Sequence, residues 1–196
     1  MKIIADEIYH IYNQGNNREV IFKTDNDYIE FLQLFRRFVF PHCKVLAYCL
    51  MPNHFHFEIY ATAYSASMKK IGNIELSVLS NGFRLLQSNY AQSFNKRQKR
   101  TGSLFRQKTK AKGMSDGGNN YSYIAFNYIH QNPFKAKLVS KIEGWPYSSF
   151  PDYAGVRNGN ICDQELALQL IGYNKENFIA DSYSMIDEES SRKIFL

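Results

Sequence analysis

Two apolar-rich runs, Lys44 to Met51 and His54 to Ala61, stand on either side of Pro52-Asn53, and no other feature constrains the fold as tightly. Both have strand length, and the Pro-Asn pair leaves room for little but a tight strand-to-strand turn, so they read as a β-hairpin. Strand side chains alternate between faces, which puts His54, His56 and Glu58 on one side and Phe55, Phe57 and Ile59 on the other. One face is apolar, and the other can hold a metal ion. A bare His-x-His pair is a weak pattern that also fits two half-exposed strand residues, so the rest of the chain must decide.

Upstream, Glu7 to Tyr12 alternates as a first strand and runs into the turn-rich Asn13-Gln14-Gly15-Asn16-Asn17. Thr24 or Asp25 can cap a helix from Asn26 to Phe38, with Ile29, Leu32, Phe35 and Phe38 at three-residue spacing and Phe31 and Leu34 widening its apolar face. A second helix, Ser77 to Lys96, carries Leu79, Phe83, Leu86, Tyr90 and Phe94 on one stripe, which reads as packing. After a loop from Arg97 to Gly102 come a strand from Ser103 to Lys110 and a flexible stretch from Gly113 to Asn120. A third helix is expected from Tyr121 to Gln131, ending near Asn132 because Pro133 turns its predecessor from helical geometry. Beyond Trp145 the chain reads as loop and short helices, with Asp163 capping Gln164 to Ile171. This order is the split βαβ pattern of an α+β, ferredoxin-like domain, an antiparallel sheet with helices packed on one side. Residues 1–158 are expected to form that domain, and 159–196 an acidic C-terminal extension.

Charge is unevenly spread. The net charge is +6, and from Leu76 to Ser115 there is no Asp or Glu, while Arg84, Lys96, Arg97, Lys99, Arg100, Arg106, Lys108, Lys110 and Lys112 all fall inside. An ordinary solvated face mixes both signs, so the run reads as a phosphate-binding surface. The C-terminal part is the reverse, with Asp163, Glu165, Glu176, Asp181, Asp187, Glu188 and Glu189. Three cysteines, Cys43, Cys49 and Cys162, make no Cys-x-x-Cys pair and argue for core positions in a reducing compartment. Asp6 and Glu7 interrupt any leader-like apolar run, and no stretch is apolar for long enough to cross a bilayer. The expectation is a soluble, cytoplasmic protein with no membrane partner.

In the third helix, Tyr128 and Asn132 are four residues apart and share a face. Laid against the sheet, that face would bring a phenol and an amide oxygen to the two histidines, a nucleophile beside a metal held by two imidazoles and one amide oxygen. Such a site polarises a phosphodiester while the phenol attacks phosphorus, and a tyrosyl phosphodiester conserves the energy of the broken bond. The phenol's ordinary pKa near 10 calls for a nearby cation to favour the phenolate. Alone, Tyr128 would be read as a packing aromatic.

Five blocks are informative together: Tyr12-Asn13-Gln14-Gly15-Asn16-Asn17, Ala47-Tyr48-Cys49-Leu50-Met51-Pro52-Asn53-His54-Phe55-His56, Thr101-Gly102-Ser103-Leu104-Phe105, Tyr128-Ile129-His130-Gln131-Asn132-Pro133 and Trp145-Pro146-Tyr147-Ser148-Ser149. In this order they resemble the REP-associated tyrosine transposases, within the single-tyrosine HUH transposases of bacterial insertion sequences. The resemblance covers about Glu7 to Gly155 and stops before Asn160. It implies a transposase-like HUH fold, a Mg²⁺ or Mn²⁺ ion held by His54, His56 and Asn132, and Tyr128 as the nucleophile that becomes a 5′-phosphotyrosine. It also implies single-stranded or hairpin DNA as the partner, with Arg106, Lys108 and Lys110, and more loosely Arg97 and Arg100, contacting it. Relatives work either as homodimers that exchange the tyrosine helix or as monomers, and both remain open.

Two positions depart from the family pattern. Glu58 replaces an aliphatic residue and reads as a further metal ligand or a solvent-facing carboxylate, the second favoured since a carboxylate on the metal side would repel phosphate. Lys137 stands where the turn after the helix usually has glycine. His130 is read as structural or exposed, and His10 and His42 as ordinary. Two other readings compete: an inactive or domesticated binder of hairpin nucleic acid using the same basic and aromatic surface, and a zinc hydrolase built on His54, His56 and Glu58.

Overall fold

The expected hairpin forms, and its two strands are the centre of the fold. A computed structural model describes residues 1–114 and 121–184, so residues 115–120 of the expected loop and Asp187, Glu188 and Glu189 lie outside the described residues. Strand β1 (Glu7–Gln14) is followed by helix α1 (Asp25–Phe38), the hairpin β2 (Lys44–Met51) and β3 (His54–Ala61), and a short helix α2 (Ala63–Ala66). A small hairpin, β4 (Met68–Ile71) and β5 (Ile74–Ser77), leads into helix α3 (Val78–Arg97), strand β6 (Lys110–Gly113) and helix α4 (Tyr121–Lys135). Three short helices follow, α5 (Phe150–Tyr153), α6 (Gln164–Ile171) and α7 (Phe178–Tyr183).

The main sheet has the order β2-β3-β1-β6, and every pairing is antiparallel. Two interleaved split βαβ units give this ferredoxin-like order, because each helix carries the chain over one strand to a parallel partner. Helices lie on both faces, which corrects the one-sided expectation. On one face α1 and α3 pack Phe31, Phe35, Phe83, Leu86 and Tyr90 against Ile11, Phe55, Phe57 and Ile59. On the other, α4 and the C-terminal helices pack Phe126, Ile129, Phe150 and Phe178 against Leu46, Ala47, Cys49 and Met51. Alternation lets β2 feed both clusters, and a register irregularity between Val45 and Ala47 puts the consecutive Leu46 and Ala47 in the second.

Capping and packing explain the helices. Thr24 and Asp27 form a reciprocal capping box on α1, and its buried stripe is Tyr28, Phe31 and Phe35, leaving Ile29 about half exposed. Of the expected face, Phe31 and Phe35 are fully buried and Leu32, Leu34 and Phe38 pack partly buried against the core, so only Ile29 departs. Gly82 brings α3 close to the end of α1: a Cβ there would lie 2.4 Å from the Phe38 carbonyl oxygen. The Trp145 to Ser149 segment covers the outer edge of β2, with Trp145 Nε1 donating to the Leu50 carbonyl at 2.9 Å and the Leu50 N–H donating to the Tyr147 carbonyl at 2.9 Å. The described part of the C-terminal extension belongs to the same core, through Ile161, Ala167, Tyr173 and Phe178.

Two boundaries differ from expectation. The fourth strand of the sheet is Lys110–Gly113, not Ser103 to Lys110. Tyr12 pairs with Lys110 and Gly15 bridges to Phe105, so two residues of β1 face four residues of the returning segment, and 106–109 loop outward. Helix α4 continues through Pro133 to Lys135. It closes in a Schellman turn, with the Lys137 N–H on the Phe134 carbonyl and the Leu138 N–H on the Pro133 carbonyl, both at 2.9 Å.

Candidate active site

The face of β3 that carries His54, His56 and Glu58 lies under α4. Cross-strand register sets Gln14 opposite His54, Tyr12 opposite His56 and His10 opposite Glu58. A cleft of about 300 Å³ opens where this face meets α4 and the 106–110 segment, lined by Tyr12, Gln14, His54, His56, Tyr128 and the cations Arg106, Lys108 and Lys110. Three of the residues singled out from sequence, His54, His56 and Tyr128, therefore meet in one place. The Tyr128 ring stands edge-on to His56 with centroids 5.9 Å apart, and His54 and His56 are 4.9 Å apart.

Both imidazoles are held by their Nδ1 atoms. His54 Nδ1 lies 2.6 Å from Asn53 Oδ1, and His56 Nδ1 lies 2.9 Å from His10 Nε2. Burial pushes His54 down to about 4 and His10 to about 3, and His56 falls well below the usual imidazole range through burial and then its two histidine neighbours. The rings are neutral, and Nε2 is the nitrogen that each could offer a cation. His10 is thus the orienting partner of a site histidine rather than an ordinary residue. Alternation along β1, which puts His10, Tyr12 and Gln14 on one face, is the signal that could have found it.

Tyr128 is half-buried, and burial pushes its phenol up to about 12, with a hydrogen bond from Asn132 acting in the opposite sense. Lys135 holds its ammonium 5.9 Å from the Tyr128 ring centroid. Asn132 is buried, and its Nδ2 donates to the Tyr128 carbonyl at 2.9 Å, which leaves Oδ1 as the atom that could face a cation.

Glu58 is fully buried, contrary to its expected solvent-facing position. Its Oε1 accepts from the Ser122 hydroxyl at 2.5 Å, and burial raises its pKa to about 8. It does not line the cleft. Among the described residues no three His, Cys, Asp or Glu side chains converge as a metal site, so the donor set of a His-His-Glu zinc site is not assembled there. His130 is buried and structural, with Nε2 2.8 Å from Ser149 Oγ.

The cations divide into two groups. Arg106 and Lys108 reach the cleft because of the looped-out segment, which Asn13 pins: its Nδ2 donates to Gln87 Oε1 at 2.6 Å, the Arg106 carbonyl at 3.2 Å and Thr109 Oγ1 at 3.2 Å. Gly15 completes that turn, since a Cβ would lie 2.1 Å from the Glu19 carbonyl oxygen. Arg97 and Arg100 lie outside the cleft: Arg97 contacts Asp27 at 2.7 Å and Glu30 at 2.6 Å, and Arg100 contacts Glu19 at 2.8 Å. Carboxylates already pair with both. A second groove of about 890 Å³ along α3 shares Arg106, Lys108 and Lys110 with the cleft and adds Arg84.

The fold is a mixed α+β one of known type. A solved structure of a REP-associated tyrosine transposase bound to a REP hairpin is similar to it, with a TM-score of 0.55, 14% sequence identity, and coverage of 83% of this chain and 91% of that one. No family model matches the chain, and no curated protein matches it. Among the described residues no helix is long and apolar enough to cross a membrane.

Proposed function

We propose that this protein is a metal-dependent transposase that cleaves and rejoins single-stranded DNA beside a hairpin, with Tyr128 as nucleophile. The observation that carries the reading is the meeting of Tyr128 with His54 and His56 in a cleft rimmed by Arg106, Lys108 and Lys110. The similar fold of a transposase bound to a REP hairpin supports the same class of partner.

Chemistry follows from the positions of these groups. The three rim cations hold the phosphodiester by its charge and bring it to the phenol. Tyr128 Oη attacks phosphorus, the bond from phosphorus to the 3′ oxygen breaks, and the products are a 5′-phosphotyrosine and a 3′-hydroxyl. One phosphodiester replaces another, so a 3′-hydroxyl can later attack the tyrosyl ester and restore the strand without ATP. With its pKa near 12 the phenol is protonated at rest, and the Asn132 hydrogen bond favours its ionised form as the proton leaves. His54, His56 and the Asn132 amide oxygen would hold Mg²⁺ or Mn²⁺; the carboxamide oxygen suits either ion, and the two neutral imidazoles suit Mn²⁺ better than the harder Mg²⁺. When bound there, the ion would polarise a non-bridging phosphate oxygen. His10 and Asn53 keep the two imidazoles oriented for it.

The test is incubation of the protein with end-labelled hairpin DNA from the flanks of its own gene and Mn²⁺, followed by denaturing electrophoresis. A covalent protein–DNA band that needs metal and is absent in Tyr128→Phe is expected. Tight binding to the correct site with no such band would instead favour the domesticated binder.

A further inference from the structure

Gln131 is fully buried on α4, three residues beyond Tyr128, and takes no part in the cleft. Its Nε2 donates to two carbonyls at the end of α7, those of Ser182 at 2.8 Å and Ser184 at 2.9 Å. The last carbonyls of a helix have no partner within it, so this one amide caps α7 and fastens it to α4. Ring contacts follow the same line. Phe126, His130 and Phe134, at four-residue spacing on α4, meet α7: Phe178 is 6.1 Å from Phe126 and 6.0 Å from His130, and Tyr183 is 5.7 Å from Phe134. The Tyr183 hydroxyl donates to Glu143 at 2.7 Å and accepts from the Ile142 N–H at 3.1 Å, so the end of α7 is also tied to the segment that follows α4.

The ring contacts lie on a different stripe of α4 from Tyr128, and Gln131, three residues beyond the tyrosine, sits between the two. The helix also has a weak point beside them, because Pro133 offers no N–H to the preceding turn. A roll of about 15° about the axis would carry a tyrosine hydroxyl through about 2 Å.

We propose that Gln131 is a positioning residue, whose clasp on α7 fixes the roll and height of α4 and so holds Tyr128 against His54 and His56 of the same chain. The C-terminal segment up to Ser184 is then a brace for the nucleophile helix. This rests on the reading of Tyr128 as nucleophile, and the experiment separates the two.

Gln131→Met keeps the length of the side chain and removes both donors. In the full chain, with 3-fluorotyrosine at position 128, two quantities are read: the ¹⁹F resonance of that ring, and the single-turnover rate of covalent adduct formation at saturating hairpin DNA with Mn²⁺. The resonance is expected to shift or split and the rate to fall by about tenfold or more, while hairpin affinity stays within about twofold because no DNA-contacting group changes. Tyr183→Phe, which frees the end of α7 but leaves Gln131 in place, should move both readouts in the same direction by less, and it serves if the first variant does not fold. An unmoved resonance overturns the proposal, as does an unchanged rate in a protein that forms the adduct. If the wild-type protein forms no adduct, the nucleophile reading fails, and the ¹⁹F signal alone decides the clasp: displacement upholds it and constancy overturns it.

Discussion

Lys137 has a φ of 58°, in the left-handed region where a side chain is strained. Both hydrogen bonds of the Schellman turn are nonetheless made, so the turn that usually has glycine is kept here with a lysine in it. Lys137→Gly should therefore stabilise the protein by about 0.5–1 kcal/mol, the relief of left-handed strain less the added freedom of the unfolded chain, as read by urea unfolding. The departure at Lys137 was legible in the sequence, and so were the two histidines and the tyrosine, because each sits on an element with a clear period. The burial of Glu58 and of His10 was not. Their burial depends on α4 covering that face of the sheet, and a strand pattern by itself does not say which faces a later helix will close.

At the entry to α1 one carboxylate joins two helices. Asp27 accepts from the backbone N–H groups of Lys23 and Thr24, each at 2.9 Å, and from Arg97 at the end of α3. Burial raises its pKa, but the Lys23 N–H, the Arg97 guanidinium and the two Thr24 donors outweigh this and hold it below its ordinary 3.8. A depressed folded pKa means that the stabilisation is fully present above the unfolded value and is lost as the pH falls through the folded one. Asp27→Asn should cost about 1–3 kcal/mol at pH 7. It should also flatten the acid limb of the stability profile below about pH 4, measured by denaturant unfolding across pH. While α4 runs four residues past its expected end, helices α1, α3 and α6 were legible to within a residue because their caps and stripes are local. The 103–109 segment was not, since Asn13, Gln87 and Thr109, distant in sequence, decide where it leaves the sheet.

Across the whole chain, the basic stretch between Leu76 and Ser115 does two jobs that composition alone does not separate. Arg97 and Arg100 are neutralised by Asp27, Glu30 and Glu19 and hold α3 to the N-terminal part of the chain. Arg106, Lys108 and Lys110 are exposed at the junction of the two grooves, and none of the ion pairs among the described residues includes them. Of these five cations, a polyanion approaching the protein therefore meets only Arg106, Lys108 and Lys110 as uncompensated charge. If each of the three neutralises one phosphate of a single strand, replacing all three with alanine should reduce the slope of log affinity against log salt by about 2. Arg100→Gln should leave the slope unchanged while lowering stability, because the charge it removes was already balanced by Glu19. Fluorescence-anisotropy titrations of hairpin DNA at several salt concentrations distinguish the two groups. Equal slope changes for Arg100→Gln and for single substitutions at the rim would mean that DNA follows the net charge of the molecule and not the cleft.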